Sequence, residues 1–304
     1  MPAPIYELAP CPVCGGTANR TIADADAVRA EVEALWEFHG ERLRPETPPE
    51  RLVDRVAFSQ HPALQVVRCS DCGLVYRNPR ERAFVLADVY GSDAPPRATL
   101  EALFETQSSA YAEQARRLTS VAGRPGRVLE VGSYVGGFLA AANALGWQAE
   151  GLDVNAAVNE FARSKGLRVT DGDLATWEGA GGFDVVALWN CFDQLADPRE
   201  AAHVARQLLS GRGLLVVRVP NGVFEERVRA RLCGPDDAAA RALLAHNNLL
   251  AFPYRHGFTL PSLSRLLSGT GFEVERVFGD TLVPIADEWT RSWAAEEEQE
   301  VKDA

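Results

Sequence analysis

Residues 127–153 read RVLEVGSYVGGFLAAANALGWQAEGLD, and the fold turns on their parsing. Arg127–Val131 is a short apolar run with the composition of a buried strand. Gly132 opens a tight turn, and Gly136 and Gly137 fall where the next helix begins. Glycine there lets the backbone turn sharply and approach a ligand with no Cβ in the way. Phe138–Leu145 is a helix closed by Gly146, and 148–154 is a second strand. Working outward, 156–165 reads as a helix, 167–170 as a third strand and 183–189 (FDVVALW) as a fourth. Asp197-Pro198 has the N-cap and first-turn signature of a further helix, and 211–221 gives a fifth strand. A helical excursion covers 222–250, another helix covers Thr259–Ser268, and GFEVERVF (271–278) reads as a strand. Strands alternating with helices predict an α/β fold, a doubly wound and mostly parallel sheet.

In such a sheet a ligand lies beyond the carboxyl ends of the strands, near the point where the strand order reverses. A dinucleotide site calls for GxGxxG with diphosphate at the helix N-terminus. Here the spacing is GxxxGG, and Glu130 stands two residues before Gly132. A carboxylate repels phosphate and attracts an ammonium. That chemistry fits S-adenosylmethionine (SAM), whose methionyl end carries an ammonium and whose sulfonium is also cationic. Asp153, at the end of the second strand, can accept from both ribose hydroxyls. Asp173, in DGDLATW after the third strand, is placed to accept from the adenine amino group.

From about residue 100 to 285 the chain resembles the class I SAM-dependent methyltransferases. VLEVGSYVGGFL is similar to their first motif, GLDVN to the second, GDL to the third and FDVVALWNCFDQLADP to the fourth. The resemblance implies a seven-stranded sheet, its antiparallel edge hairpin supplied by GFEVERVF and TLVPIA. Carried over by position, Glu130, Gly132, Ser133 and Gly136 would line the methionine end. Asp153 and Val154 would bracket ribose, Asp173 and Leu174 adenine, and Asn190 would face the sulfonium from the tip of the fourth strand. Two positions depart from the pattern. Tyr134 replaces the usual middle glycine, and Asp193-Gln194 stands where relatives carry Glu-His.

Ahead of this domain lie two CxxC pairs, Cys11/Cys14 and Cys69/Cys72, each followed by glycine. A two-residue gap lets both sulfurs point at one ion. Four thiolates make a closed tetrahedral Zn²⁺ site with no place for water, a structural role. A helix over about 24–40, a Pro-rich break and a second short helix over 50–58 fill the space between the pairs. The quartet resembles zinc-ribbon-like modules fused to some bacterial methyltransferases. The expected organisation is a zinc module with a helical insertion over 1–90, then a helical connector over 91–123 containing one helix (98–121). The methyltransferase domain follows over 124–288, and an acidic tail over 289–304.

The chain of 304 residues carries a net charge of −11, which disfavours nucleic acid, because cationic side chains drive phosphate binding. No apolar run approaches the ~20 residues of a membrane span, so no membrane partner is expected, and with no leader pattern at the N-terminus the expected location is the cytoplasm. The implied acceptor is a small molecule such as a sugar nucleotide or a biosynthetic intermediate. The alternatives are an RNA methyltransferase with a zinc RNA-reading module, and a non-catalytic SAM-binding scaffold. No base is announced by sequence. Tyr254 and His256, between the fifth strand and the next helix, are the candidates.

Overall fold

The computed structural model describes residues 5–43, 45, 63–92, 95–233, 237–246 and 254–279. The expected helix over 50–58, the segment TLVPIA and the acidic tail lie outside them. The chain forms two compact units. The first gathers residues up to Arg82 with Pro220–Arg265; the second holds Ala83–Val219 and, among the described residues, 266–279.

The second unit is built on five parallel strands: β6 (Arg127–Val131), β7 (Gln148–Asp153), β8 (Arg168–Asp171), β9 (Phe183–Trp189) and β10 (Leu209–Arg218). Their order is β10-β9-β6-β7-β8. The chain winds outward from β6 through β7 to β8, then returns to the other side of β6 for β9 and β10. The reversal point is therefore the gap between β6 and β9, the place such folds reserve for a ligand. Central strands covered on both faces lose the polar alternation of one-sided strands. Val128 and Leu129 of β6 and Val185–Leu188 of β9 are accordingly inaccessible to solvent. Tyr111, Leu118, Phe138, Leu139 and Trp147 complete that core.

The helices follow their caps. Asn155 accepts from the Val158 N–H to start Ala156–Ser164, and Asp197 accepts from Arg199 and Glu200 to start Pro198–Leu208. Where one helix was expected over 98–121 there are two, Arg97–Ala110 and Ala112–Ala122, which meet at Tyr111. Leu100 and Leu103 of the first pack with Val135, Val158 and Phe161, while Ala115 and Leu118 of the second join the Phe138 core. Helix Ala83–Ser92 precedes them. GFEVERVF is not a strand. Residues 272–279 have no regular structure, and Val274, Val277 and Phe278 are exposed. Alternating apolar residues make a strand only where a neighbour takes up the backbone hydrogen bonds, and among the described residues none pairs here. Five of the seven expected strands are therefore described.

The first unit is antiparallel. Its four-stranded sheet has the order β11-β4-β3-β2, with β2 at Asn19–Ala23, β3 at Val66–Cys69, β4 at Val75–Arg77 and β11 at His256–Gly257. A separate ribbon pairs β1 (Tyr6–Glu7) with β5 (Arg80–Glu81). Helix Ala25–Gly40 starts on an Asp24 cap and buries Val28, Leu35 and Phe38. Leu35 and Phe38 pack with Val228, Ala240 and Leu244 of the 220–265 segment.

Two buried charge clusters tie that segment in. Glu81 receives Arg77 Nη1 at 2.9 Å and Arg255 Nη1 at 3.1 Å, all three side chains being essentially sealed from solvent. Arg229 bridges Glu31 and Glu225. Breaking such a buried group leaves an uncompensated charge, which costs more than the intact cluster contributes.

Candidate functional site

The carboxyl ends of β6, β7 and β9 converge on one loop, and its backbone is unusual. Gly132 and Gly136 have φ of 72° and 83°, and two non-glycine residues share that left-handed region: Tyr134 at 47° and Asn190 at 54°. Asparagine tolerates it; tyrosine does so at about 1–2 kcal/mol. Tyr134 thus keeps the conformation of the glycine it replaces. Its N–H donates to Asp153 Oδ2 at 2.9 Å, while the Asn155 N–H donates to Oδ1 at 2.9 Å. Asp153 therefore pins the glycine loop to the next turn and keeps a lone pair on each oxygen for a ligand.

Three acids occupy this end of the sheet. Glu130 is 3% exposed and its Oε2 has no hydrogen-bond partner. Burial, then the Asp153 charge, pushes its carboxyl well above the ordinary range, against the pull of Arg218. Asp153 is also raised, by burial first, with the N–H groups of Asn155, Tyr134 and Val154 opposing. Asp193 is fully buried and both its oxygens lack partners. Burial pushes it up to about 7, with Arg218 opposing. Cys191 lies among all three: burial and the charges of Asp193, Glu130 and Asp153 hold its thiol above its usual value. Its Sγ donates to the Val131 carbonyl at 3.1 Å, and a Cβ on Gly132 would come within 3.1 Å of it. Gly132 is glycine here because Cys191 occupies that space.

The turn after β9 is closed by its own side chains. Gln194 Nε2 donates to the Asn190 carbonyl at 2.7 Å, and Tyr90 Oη donates to Gln194 Oε1 at 2.5 Å. Arg218 Nε donates to Asn190 Oδ1 at 2.8 Å, and its guanidinium lies over the Tyr111 and Trp189 rings. Ser133 Oγ and Trp189 Nε1 are buried without partners. Unpartnered buried polar atoms need an explanation, and Glu130, Ser133, Trp189 and Asp193 carry such atoms at the ends of β6 and β9 and in the turns that follow. That is the signature of a polar ligand's place. An excess of buried acid fits a cation, so the residues fit SAM.

Not every expected residue is equally available. Glu130, Gly132, Ser133, Gly136, Asp153 and Asn190 come together at the strand ends. Val154 follows β7 and is 38% exposed. Asp173 is exposed, and its Oδ1 caps the short turn Leu174–Thr176 by accepting from the Thr176 N–H; Leu174 is buried beside it. Tyr254 and His256 belong to the first unit. His256 is 2% exposed and pairs with Tyr76 inside the antiparallel sheet. Sequence reasoning gave no role to Tyr90, Trp189 or Arg218. Only Arg218 carried a signal, as a cation ending an apolar strand.

The first unit brings the four cysteines together. The sulfurs of Cys11, Cys14, Cys69 and Cys72 all lie within 4.8 Å of one another, with Cys11–Cys72 and Cys14–Cys69 at 3.5 Å. Disulfide sulfurs sit at about 2.05 Å, whereas a tetrahedron of ~2.3 Å zinc–sulfur bonds puts sulfurs about 3.8 Å apart. The two turns are the same device. The Cys11 N–H donates to the Gly16 carbonyl and Gly15 N–H to Cys11; Cys69 N–H donates to Leu74 and Gly73 N–H to Cys69. Gly15 and Gly73 have φ of 73° and 75°. Burial raises Cys69, but the N–H groups of Cys72 and Asp71 outweigh it and leave this thiol below its usual value. The donor set and spacing fit one zinc ion.

A family model described as a methyltransferase domain matches residues 103–277. Similar solved structures include the SAM-bound amino pentose methyltransferase of calicheamicin biosynthesis from Micromonospora echinaspora. It is 26% identical over 38% of this chain and 55% of that one, with a TM-score of 0.34. A glycopeptide N-methyltransferase with sinefungin is 20% identical over 36% of this chain and 50% of that one, at 0.34. A plantazolicin methyltransferase with SAH is 18% identical over 61% and 73%, at 0.42. The chain spans about half the length of the first two. No curated protein matches.

Proposed function

Because the chain belongs to the methyltransferase-domain family, we propose that it is a SAM-dependent methyltransferase acting on a small-molecule acceptor. The observation that carries this reading is the buried Glu130 carboxyl, with Oε2 unpartnered, behind a glycine loop pinned by Asp153. A buried carboxyl with a bare oxygen favours a cationic, hydrogen-bonding guest. Glu130 and Ser133 would hold the methionyl end, Asp153 the ribose beside Val154, Asp173 and Leu174 the adenine, and Asn190 the sulfonium side. Gly132 and Gly136 let the loop fold tightly against Cys191 and Leu167, which sets where Glu130 and Asp153 meet the guest.

SAM, when bound, supplies an electrophilic methyl on a good leaving group. The protein's part is then to hold the acceptor in line and keep water out. If the acceptor must lose a proton, Tyr254 and His256 are the proposed recipients. His256→Gln tests this: a lower kcat with a changed pH profile supports it, and an unchanged kcat and pH profile remove it. In the first unit the four thiolates would hold a structural Zn²⁺.

The small-molecule acceptor is favoured over RNA by the net charge of −11, and no described helix is long and apolar enough to cross a membrane. S-adenosylhomocysteine (SAH) release across a metabolite panel tests the acceptor class. Turnover with an RNA pool but no metabolite would overturn it.

A further inference from the structure

We propose that Asp193 makes this site prefer the charged cofactor over its spent, neutral product; the proposal rests on the SAM reading above. SAM has a sulfonium, an ammonium and a carboxylate, hence a net charge of +1. Loss of the methyl leaves a neutral thioether and a net charge of zero. Any residue that separates the two must therefore sense the sulfonium, since the ammonium, ribose and adenine are common to both.

Asp193 is built for that discrimination. It is wholly buried, and among the described residues neither oxygen has a hydrogen-bond partner beyond its own backbone N–H. It lies three residues beyond Asn190, on the turn that Gln194 closes back onto the Asn190 carbonyl. The charged neighbours are few. Arg218 of β10 faces it as the opposing cation. Asp193, Glu130 of β6 and Asp153 of β7 each raise the thiol of Cys191 on the same turn. Arg218 is already engaged: its Nε holds Asn190 and its guanidinium stacks over two rings. Three carboxyls lie around Cys191 with Arg218 as the opposing cation, more acid than one cation holds ionised in a dry place. An isolated buried carboxylate protonates rather than stay charged, and this one does so near neutrality, at about 7. A cationic guest relieves the cost and favours the ionised form; a neutral guest does not. After transfer the carboxyl can take up a proton again, and the product loses its electrostatic hold.

The sign follows from linkage. A guest that lowers a carboxyl's pKa binds more tightly as pH rises toward the free value, then levels off. Both ligands carry the same titrating ammonium, so the ratio of their affinities isolates Asp193. Calorimetry of the full chain with SAM and with SAH, from pH 6 to 8, reads that ratio. We expect the SAM preference to rise about tenfold over this range in the wild type, one decade per unit of pKa displaced. In Asp193→Asn it should be lower and flat with pH, while SAH affinity is retained, which also reports a folded site. Glu130→Gln should instead weaken both ligands together. An unchanged ratio in Asp193→Asn, or equal loss of both ligands, would overturn the proposal. Failure of the wild type to bind either ligand would instead sink the SAM reading beneath it.

Discussion

The CxxC turns and the glycine loop are both tight, glycine-dependent turns at strand ends, and both gather groups that cannot stay negative together without a cation. They differ in which cation they suit. The cysteine turns are two copies of one hydrogen-bond pattern that bring four soft thiols within 4.8 Å, a closed set sized for one metal ion. The glycine loop gathers carboxyls on separate strands, leaves Glu130 and Asp193 unpartnered and suits a large organic cation that comes and goes. In the proposed function the first ligand would be part of folding and the second part of turnover.

Stripping metal tests that contrast most severely. Structural zinc contributes about 10–16 kcal/mol to small domains. Chelation, or Cys69→Ser, should unfold the first unit and leave the second standing. Hydrogen exchange should therefore speed up in 5–43 and 63–82 but not in β6 and β9. Equal loss in both units, or a folded first unit with no metal, would break the contrast. The next effect concerns the first unit's dependence on buried charge. Glu81→Ala strands Arg77 and Arg255 in the interior and should cost about 3–5 kcal/mol in urea unfolding.

The acid excess of the second unit gives a prediction with a fixed sign. Asp193 titrates at about 7 when folded against about 3.9 when unfolded. The folded state thus holds an extra proton between those values, and stability from this group is lost as pH rises from about 4 to 7. Asp193→Asn should therefore gain stability over wild type at pH 8 more than at pH 5, read in urea melts at both. A gain independent of pH would contradict it. The smallest effect is in the loop backbone. Gly136→Ala faces φ of 83° and a Leu167 methyl 2.3 Å from the new Cβ, and should cost about 1–2 kcal/mol.

The two regions were also unequally legible in the sequence. β6, β7, β9 and the cysteine turns are local patterns, so apolar runs, caps and spacing suffice to find them. Asp197 capping Pro198–Leu208 is of the same kind. The pairing of His256 with Tyr76 is not. It joins residues far apart in the chain, and nothing in FPYRHGF announces a strand that completes an N-terminal sheet. GFEVERVF failed for the opposite reason, a strand pattern with no described neighbour to pair with. In the site, Glu130 and Asp153 could be found because each ends a recognisable strand. Asp193 looked like a weakened motif, because burial and the absence of a partner are properties of three dimensions. Tyr134 departs from the family's middle glycine, yet it adopts the glycine conformation and delivers its N–H to Asp153.

The central claim is that the acids around the glycine loop form a SAM site. Calorimetric titration of the purified chain with SAM tests it most directly. The account predicts one saturable site per chain, weakened about 10- to 100-fold in Asp153→Ala, the scale of hydrogen bonds to a charged group. No heat of binding from the folded, metal-loaded wild type, or a site indifferent to Asp153, would contradict it.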